Sequence, residues 1–412
     1  MTGLEPSRPG TAGDAVDGVA PQFVVEPDSG ARCAAALAAA AGARLTTVIR
    51  GGGTKLGWGR PPASVDILLS TKRLNALVAH EHADLTATMQ AGARLDEVNR
   101  ALAQHGQWLP IESAFDESTI GGAIATNDSG PLRHRYGTPR DLLIGIRLAL
   151  TDGRLIKAGG NVVKNVAGYD IGRLMSGSHG SLAAIVSATF KLMPLPGAST
   201  TVVAAFQRAD ALVAALAALT SSQLEAAACE VRVATDPGSR IPDPYRLVLK
   251  FESTPGALHE HVRQARAIIE NATFDEVSSQ SEIELWREHI RAPWTSPGMV
   301  IKFAWLPASL GAVLAFLDDL RGSVAEAELI GRAAIGSGLL RVDAHTRVQR
   351  SIVDRLRSRA DVFRHVVVLR ADAQLKQQID VWGPLGDTGS LGASVKHALD
   401  PSGILNAGRG PV

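Results

Sequence analysis

Residues 50–59 read RGGGTKLGWG and directly follow the apolar run LTTVI at residues 45–49. A strand that ends in three glycines leaves a row of backbone N–H groups with no Cβ in front of them. Such a concavity suits a pyrophosphate, because glycine tolerates positive φ angles and lets phosphate oxygens approach the main chain. A glycine triplet on its own is equally typical of a tight turn, so the rest of the chain has to decide between the two.

A second glycine-rich segment, STIGGAIATNDSG at residues 118–130, favours the phosphate interpretation. Small residues and hydroxyls alternate there with apolar residues, so a backbone could lie against a flat or anionic ligand while Thr and Asn side chains donate hydrogen bonds. Neither segment has the G-x-G-x-x-G spacing of a dinucleotide fold or the lysine signature of a P-loop. Ordinary nicotinamide and ATP sites are therefore disfavoured.

Length and composition predict a two-domain protein, with 412 residues of which 45% are hydrophobic. The net charge of +1 leaves no strong field to attract nucleic acid or anionic lipid. Cys33 and Cys229 form no C-x-x-C pair, which argues against a disulfide framework and against an Fe–S cluster held by this chain alone. No apolar run approaches the roughly twenty residues that a membrane span needs. We therefore expect a cytoplasmic protein with no nucleic-acid partner and no membrane span.

The first half of the chain reads as alternating strands and helices. Residues 1–20 are rich in Gly, Pro, Asp and Ala, and we expect them to be disordered. Asp28 or Ser29 can cap an alanine-rich helix that ends near Gly42. Apolar or alternating runs predict strands at residues 23–27, 65–69, 85–90, 144–150 and 185–192.

The sequence PLPG at residues 194–197 marks a boundary, beyond which short strands alternate with helices. This texture indicates a second α+β domain whose antiparallel sheet is covered on one face. The tail is helical again, with Leu391, Val395 and Leu399 on one stripe, and it stops at Asp400-Pro401.

The order of the motifs resembles the FAD-binding domain of the vanillyl-alcohol oxidase/p-cresol methylhydroxylase (VAO/PCMH) superfamily. The matching segments are RGGGTK, TIGGAIATNDSGP, Arg135-Tyr136-Gly137 followed by Asp141, GSHGSLAAIVSATFKLMPLP at residues 177–196, and DPSGILNAGR at residues 400–409. Within that superfamily the chain is similar to the smaller, FAD-binding subunits of bacterial glycolate oxidases, through GPLR at residues 130–133 and VKNVAGYD at residues 163–170. The similarity is clear over residues 23–196 and at the tail, and thin in between.

The resemblance implies an α+β fold, in which a PCMH-type two-subdomain FAD-binding domain is followed by an α+β cap domain with an antiparallel sheet. The implied boundaries are a disordered N-terminus at 1–20, the FAD-binding domain at 21–197, the cap or substrate domain at 198–380, and a C-terminal segment at 381–412 that returns to the FAD domain.

The resemblance also implies FAD as the cofactor, with its pyrophosphate wrapped by the main-chain N–H groups of residues 51–55. Ile185 stands where family members pair backbone atoms with the adenine edge, and Asn406 would lie near the isoalloxazine. The residues expected to bind the cofactor are Arg50, Gly51, Gly52, Gly53, Thr54, Lys55, Ser118, Thr119, Gly121, Gly122, Thr126, Asn127, Ser129, Ile185 and Asn406.

Three departures from the family pattern bear on the chemistry. Thr54 and Lys55 stand where covalently flavinylated relatives place a histidine, so we expect non-covalent FAD. Position 179 is His, where many relatives have an acidic residue or Leu. The metal-binding histidines of the larger, substrate-oxidising relatives are missing, since the residues after Glu328 read LIGRAAIGSGLLR. We therefore expect no metal site.

The resemblance implies an FAD-dependent oxidoreductase acting on CH–OH donors, with its catalytic residues unassigned. The chain could itself oxidise a small 2-hydroxy acid of the glycolate or lactate type. It could instead be a flavin subunit that relays the electrons within a complex of a second flavoprotein and Fe–S subunits, held at the inner face of the membrane. The alternatives are an NADPH-dependent FAD reductase of the cell-wall precursor type, which the DPSGILNAGR tail argues against, and a stand-alone FAD-linked oxidase of another alcohol.

Two pairs of residues keep two interpretations each. Lys164 and Asn165 could face the flavin or could stabilise a loop against Asp170. Arg133 and Arg135 could hold a substrate carboxylate in bidentate fashion or could form a solvated positive edge.

Overall fold

The computed structural model describes residues 7–160, 169–235, 244–321 and 323–411. The chain divides into two compact units. Unit 1 comprises Met1–Ser129, Gly137–Leu195 and Pro384–Val412, and unit 2 comprises Gly130–Tyr136 and Pro196–Gly383. Lys164 and Asn165, with most of the VKNVAGYD motif, lie outside the described residues, so both interpretations of that pair stay predictions.

The first elements lie in unit 1, except α4, which belongs to unit 2. In chain order they are β1 (Ser7–Pro9), β2 (Phe23–Val25), α1 (Gly30–Gly42), β3 (Thr47–Arg50), β4 (Ile67–Ser70), β5 (Leu77–Glu81), β6 (Thr86–Gln90), α2 (Leu95–Leu102), β7 (Gln107–Trp108), α3 (Ile120–Thr126), α4 (Arg133–Tyr136), α5 (Pro139–Leu142), β8 (Leu143–Ala149), β9 (Leu155–Gly159), α6 (Ile171–Met175), β10 (Ala184–Lys191) and β11 (Met193–Pro194).

The later elements lie in unit 2, except α13, which belongs to unit 1. They are β12 (Ala198–Phe206), α7 (Ala209–Ser221), β13 (Ala228–Thr235), β14 (Tyr245–Ser253), α8 (Pro255–Ile268), β15 (Thr273–Ser278), α9 (Ser279–Thr295), β16 (Met299–Ala304), α10 (Leu310–Leu320), β17 (Glu326–Arg332), β18 (Ser337–Asp343), α11 (Thr346–Ser358), β19 (Arg364–Arg370), α12 (Ala373–Gln378) and α13 (Thr388–Leu399). None of the helices in the described ranges is long and apolar enough to cross a bilayer.

A small, mostly parallel sheet of order β1-β2-β4-β3 begins unit 1. Its helix α1 starts where the sequence predicts, because Ser29 Oγ accepts a hydrogen bond from the Arg32 N–H at 3.3 Å. The buried face of α1, which includes Cys33 and Leu37, packs against β2 and β4. The end of β3 therefore opens directly into the glycine loop.

The expected disorder of residues 1–20 is wrong for residues 7–20. Strand β1 pairs with β2, and Val16 is fully buried in a small core with Val24 and Val48. The carboxylate of Asp14 is 5% exposed and is bound by two arginine side chains. A buried ion pair and one apolar anchor thus order a segment whose composition is typical of mobile termini.

A five-stranded antiparallel sheet of order β5-β6-β10-β8-β9 forms the second part of unit 1. One face carries Met89, Ile146 and Phe190 and packs against α2 and α3. The other face packs against α1 through Ala149, Ala184 and Val186. Further along this face, polar side chains such as Gln90, Arg147 and Ser187 alternate with the core-facing residues of their strands.

Unit 2 is built on an eight-stranded antiparallel sheet of order β15-β12-β14-β13-β17-β18-β16-β19. Its main core lies between one face of this sheet and α7, α8, α10 and α11, which confirms the predicted α+β domain. The expectation that only one face is covered is wrong. Helix α9 packs on the opposite face, where Trp286 contacts Ala228 and Val248 while the neighbouring Cys229 and Leu249 point into the main core.

Candidate functional site

The two glycine-rich segments predicted from the sequence meet in the structure. We call residues 51–55 the first loop. Residues 113–119, which lead into the second glycine-rich segment, are called the second loop. A Cβ added to Gly51 would overlap Thr119 Oγ1, and one added to Gly52 would lie 2.8 Å from the carbonyl carbon of Glu117 and closer still to its oxygen. Only residues without a Cβ allow the two backbones to approach this closely.

The first loop presents a row of backbone donors. Within the described part of the chain, the N–H groups of residues 51–55 donate to no protein acceptor. Gly53 turns the row with a φ of 79°, in the left-handed region that favours glycine. Successive N–H groups around a concave turn bind anions, so this donor set fits the pyrophosphate of FAD.

The side chain of Lys55 ties the first loop to the segment that follows α3. Its Nζ lies 2.8 Å from Asp128 Oδ2, and the Lys55 side chain is only 6% exposed. Ser113 Oγ lies 3.2 Å from the same carboxylate oxygen and 2.7 Å from Ser118 Oγ. The prediction from the sequence concerns only the main chain of Lys55. The signal for this ion pair is the single acidic residue of the second glycine-rich segment.

The side chain of Arg50 binds the N-terminal segment. Its Nη1 donates to Asp14 Oδ1 at 2.9 Å, while its carbonyl oxygen accepts from the Thr71 N–H at 2.8 Å. The hydrogen bond from Arg8 is the main reason why the pKa of Asp14 lies well below its usual range, and Arg50 adds to that effect. Arg50 therefore fixes the start of the first loop, and its contact with a cofactor stays a prediction.

The start of α3 uses its own backbone donors inside the protein. Thr119 caps the helix, since its Oγ1 accepts from the Gly122 N–H at 3.3 Å. The Gly121 N–H donates to Ala91 O at 2.7 Å, and a Cβ on Gly121 would lie 2.8 Å from Ala91 Cβ. The row of N–H groups without a protein acceptor thus belongs to the first loop, while Gly121 is required for close packing against the end of β6.

The end of α3 is held by local hydrogen bonds. Thr126 Oγ1 donates to Gly122 O at 2.8 Å. Asn127 adopts a left-handed conformation with a φ of 45°, and its Oδ1 accepts from the Arg140 N–H at 3.3 Å. Ser129 closes the first stretch of unit 1. Contacts of Thr126, Asn127 and Ser129 with a cofactor stay predictions.

The C-terminal tail lies beside β3 and brings Asn406 to the site. The Asn406 N–H donates to Thr47 O at 2.8 Å, and the Thr47 N–H donates to Ile404 O at 2.8 Å. Asn406 Nδ2 donates to the carbonyl oxygen of His179. Asn406 Oδ1 is buried and has no hydrogen-bond partner in the described chain. A buried amide oxygen of this kind fits an N–H donor such as the flavin ring carries.

Two cations anchor this tail, the half-buried Lys396 and the buried Arg409. Lys396 Nζ donates to Ser181 O at 2.7 Å and to Leu405 O at 2.8 Å, and it pairs with Asp400 at 2.5 Å. Burial lowers the pKa of Lys396, and the hydrogen bond to Asp400 opposes that shift. Arg409 donates to the carbonyl oxygens of Leu56 and Trp58, and burial lowers the pKa of Arg409 to about 10.

Ile185 stands near the start of β10 and pairs with Leu148 of β8. Its side chain is 6% exposed and packs into the core beneath α2 and α3. The expected pairing of its backbone with adenine stays a prediction.

Unit 2 carries a network of charged residues on the face of its sheet that also bears α9. Glu230 is fully buried, and its Oε2 lies 3.2 Å from His289 Nε2. Arg332 approaches the other Glu230 oxygen at 3.7 Å, and Arg232 pairs with Glu328 at 2.8 Å. This network lies outside what was predicted from the sequence, and its signal is a charge at every second position of CEVRV in β13. In the described ranges, no three His, Cys, Asp or Glu side chains are arranged to hold a metal ion.

Helix α4 is bound to strand β14 through one glutamate. Tyr136 Oη donates to Glu252 Oε2 at 2.6 Å, and Arg135 Nη1 donates to Glu252 O at 3.3 Å. Burial, together with the neighbouring carboxylate, raises the pKa of Tyr136. These contacts favour a structural role for Arg135 over substrate binding.

Comparisons with known proteins agree with this geometry. The FAD binding domain family matches residues 21–159. The chain is 37% identical to the glycolate oxidase subunit GlcD of Bacillus subtilis, over 41% of this chain and 36% of that protein. It is 36% identical to the glycolate oxidase subunit GlcE of Escherichia coli, over 37% of this chain and 43% of that protein. It is 28% identical to the D-2-hydroxyglutarate dehydrogenase of Xanthomonas citri pv. viticola, over 89% of this chain and 84% of that protein.

The fold is shared with a solved structure of alkyldihydroxyacetonephosphate synthase, at a TM-score of 0.70 and 18% identity over 94% of this chain and 77% of that chain. The chain spans less than half of either glycolate oxidase relative. The FAD binding domain match at residues 21–159, together with these relatives, supports the resemblance to the VAO/PCMH superfamily of FAD-binding proteins.

Proposed function

We propose that this chain is an FAD-dependent oxidoreductase that oxidises a small 2-hydroxy acid, or relays electrons from that oxidation as the flavin-binding subunit of a larger assembly. The observation that carries the proposal is the first loop, whose N–H groups at residues 51–55 have no protein acceptor in the described chain and lie against the second loop. The chemistry that FAD supplies in such proteins is two-electron oxidation at the carbon that bears the hydroxyl group.

In this proposal the chain's own residues bind and orient the cofactor. The N–H row of the first loop would bind the pyrophosphate, and Asn406 Oδ1 would accept a hydrogen bond from the flavin ring. The ion pair of Lys55 with Asp128 ties the first loop to the segment after α3, and Ser113 of the second loop lies 3.2 Å from the same carboxylate oxygen. Thr54 and Lys55 offer no histidine for a covalent link, so the cofactor would be held by these contacts alone.

The substrate class is supported by what the relatives are named for. Glycolate oxidase, D-lactate dehydrogenase of Archaeoglobus fulgidus and D-2-hydroxyglutarate dehydrogenase each take a carboxylic acid with a hydroxyl group on the adjacent carbon. These substrates share the reacting centre and differ in the rest of the molecule. A small 2-hydroxy acid is therefore the class that we propose.

The subunit role is supported by two relatives that are themselves named as subunits of glycolate oxidase. A second flavoprotein chain is the partner that this similarity favours, and an Fe–S chain would complete the path of the electrons. We place this assembly in the cytoplasm as part of the same proposal.

The purified protein tests the proposal through its visible absorbance. We expect a yellow protein whose flavin is released by acid precipitation, because the link is non-covalent. Under anaerobic conditions, glycolate, D-lactate or D-2-hydroxyglutarate should bleach the flavin band of a self-sufficient enzyme. A relay subunit should stay yellow with these acids alone and bleach when the co-purifying flavoprotein chain is present.

Two outcomes would contradict the proposal. A colourless protein that refuses added FAD would remove the cofactor assignment. A yellow protein that bleaches with NADPH and with none of the hydroxy acids, alone or with its partner, would instead support the reductase alternative.

A further inference from the structure

The five-stranded sheet of unit 1 has an open groove on the face that carries α1. Helix α1 packs on that face at Ala149, Ala184 and Val186. Beyond the first turn of α1 lies a groove of 700 Å³, within the range of small-molecule sites. Its lining includes no residue of the first or second loop, so the groove is separate from the proposed pyrophosphate site.

One row of polar side chains crosses the floor of this groove. The strand register places Gln90 opposite Ser187, Ser187 opposite Arg147, and Arg147 opposite Lys157. Directly opposed side chains on antiparallel strands have Cβ atoms about 5 Å apart. The four residues therefore form a continuous polar line across four strands, and all four line the groove.

The two charged residues of this row, Arg147 and Lys157, are both cations. Arg147 and Lys157 are direct cross-strand neighbours of the same sign, an arrangement that destabilises a sheet. In the part of the chain that the structure describes, neither forms an ion pair, and the groove lining contains no Asp or Glu. An anion bound between the two cations would remove their repulsion.

Donors from two other elements converge on the same place. Ser187 is 8% exposed, and its hydroxyl makes no hydrogen bond within the described ranges. Gly30 and Ala31, the first residues of α1, also line the groove. The N–H groups in the first turn of a helix lack intrahelical acceptors and carry partial positive charge. Asp28, the nearest acid in sequence to this turn, is occupied by Arg32 at 3.0 Å and Arg73 at 3.4 Å.

Apolar side chains line the groove beside this donor set. Val78 and Leu155 are among the exposed large apolar residues of the chain, at 59% and 48% exposure, and both belong to the lining. They come from β5 and β9, the two edge strands of the sheet. The groove therefore combines a cationic floor with apolar walls.

We propose that this groove binds a small organic phosphate. The phosphate dianion would lie between Arg147 and Lys157 and accept from the Ser187 hydroxyl, and the organic part would contact Val78 and Leu155. Two cations with hydroxyl and backbone donors match the charge and the several oxygens of a phosphate monoester better than those of a single carboxylate.

The test is a calorimetric titration of the full chain, purified with its FAD and freed of excess nucleotide, with phenyl phosphate at low ionic strength. We expect one saturable site, and inorganic phosphate should bind at least several-fold more weakly because it lacks an apolar part. Arg147→Ala and Lys157→Ala should each weaken binding about tenfold or more. Both side chains are exposed, so the variants should fold, and an unchanged flavin spectrum would show that they do.

The matched control is Arg154→Ala, which removes an exposed arginine just outside the groove that pairs with Asp152 at 2.7 Å. It should bind phenyl phosphate as the unmodified protein does. The proposal is overturned if phenyl phosphate does not bind, if inorganic phosphate binds equally well, or if Arg154→Ala weakens binding as much as Arg147→Ala. A groove that serves an acidic partner chain instead would give the first of these results.

Discussion

Substituting Gly52 by alanine tests whether the approach of the two loops builds the cofactor site. The added Cβ would lie 2.8 Å from the carbonyl carbon of Glu117 and closer to its oxygen. Ordinary contacts between carbon atoms are roughly 3.5–4.0 Å, so the carbon contact alone requires the loops to separate by roughly 1 Å, and the closer contact with the oxygen requires more. The clash is with main chain, and no side-chain rotation can relieve it.

The magnitude follows from what that separation displaces. Overpacking of this kind costs about 1–3 kcal/mol in strain or backbone shift. The displaced N–H groups belong to the row that we propose for the pyrophosphate, and a hydrogen bond to a charged group contributes about 1.5–3 kcal/mol. Loss of one or two such bonds corresponds to about a hundredfold weaker binding of FAD.

The assay is a titration of the FAD-free protein with FAD, followed by quenching of flavin fluorescence. Gly57→Ala is the matched control, because a Cβ at Gly57 meets no atom within 4 Å and the residue lies just beyond the first loop. We expect Gly57→Ala to bind FAD within about twofold of the unmodified protein. Thermal unfolding of the FAD-free forms separates weak binding from failure to fold. The reasoning is refuted if a folded Gly52→Ala binds FAD normally, or if both variants lose affinity alike.

Three further substitutions test the anchors of the site. Lys55→Met removes the ion pair with Asp128, whose side chain is 21% exposed. We expect urea denaturation to show a loss of about 2 kcal/mol in the free energy of unfolding, and no loss would contradict a structural ion pair. Lys396→Met removes the donor to three acceptors. It should lower the free energy of unfolding by about 3 kcal/mol in the same measurement, and it should weaken FAD binding. Unchanged FAD affinity would show that the tail does not contribute to cofactor binding. For Asp14, whose folded pKa is depressed, the stabilisation is present at neutral pH and is lost as the pH falls below about 4. The difference in melting temperature between the unmodified protein and Asp14→Asn should therefore narrow below that pH, and a constant difference would exclude the ionised carboxylate as its cause.

Local signals in the sequence carried most of the secondary structure. Ser29 caps α1 as predicted, and the apolar strands of unit 2 pair in an antiparallel sheet. Strand β13 gives a weak local signal, because Glu230 and Arg232 interrupt its apolar run. Their partners, His289 and Glu328, come from distant parts of the chain, and nothing local to β13 shows that such charges are neutralised when the sheet forms.

The candidate site divides in the same way. The sequence, together with the family resemblance, identified the glycines of the first loop as a pyrophosphate cradle. It did not show that Gly51 and Gly52 are also required by Thr119 and Glu117, which the fold brings against them. The same holds for residues 7–20, whose order depends on the contact between Asp14 and Arg50. Composition describes such a segment as mobile, since the stabilising partner is remote in sequence.

These remote contacts answer a physical difficulty that a glycine-rich anion site poses. Glycine loses more conformational freedom on folding than any other residue, so a bare loop would have to be ordered by its ligand at a cost in affinity. Here charged side chains from other segments hold the residues around the loop. Asp14 binds Arg50, and Asp128 binds Lys55. Arg409 donates to the carbonyl oxygens of Leu56 and Trp58. All three contacts involve side chains or carbonyl oxygens, so they leave the N–H groups of the loop available to an anion. The ion pairs at both ends thus let the middle of the loop be made of glycine and still be rigid before the anion arrives.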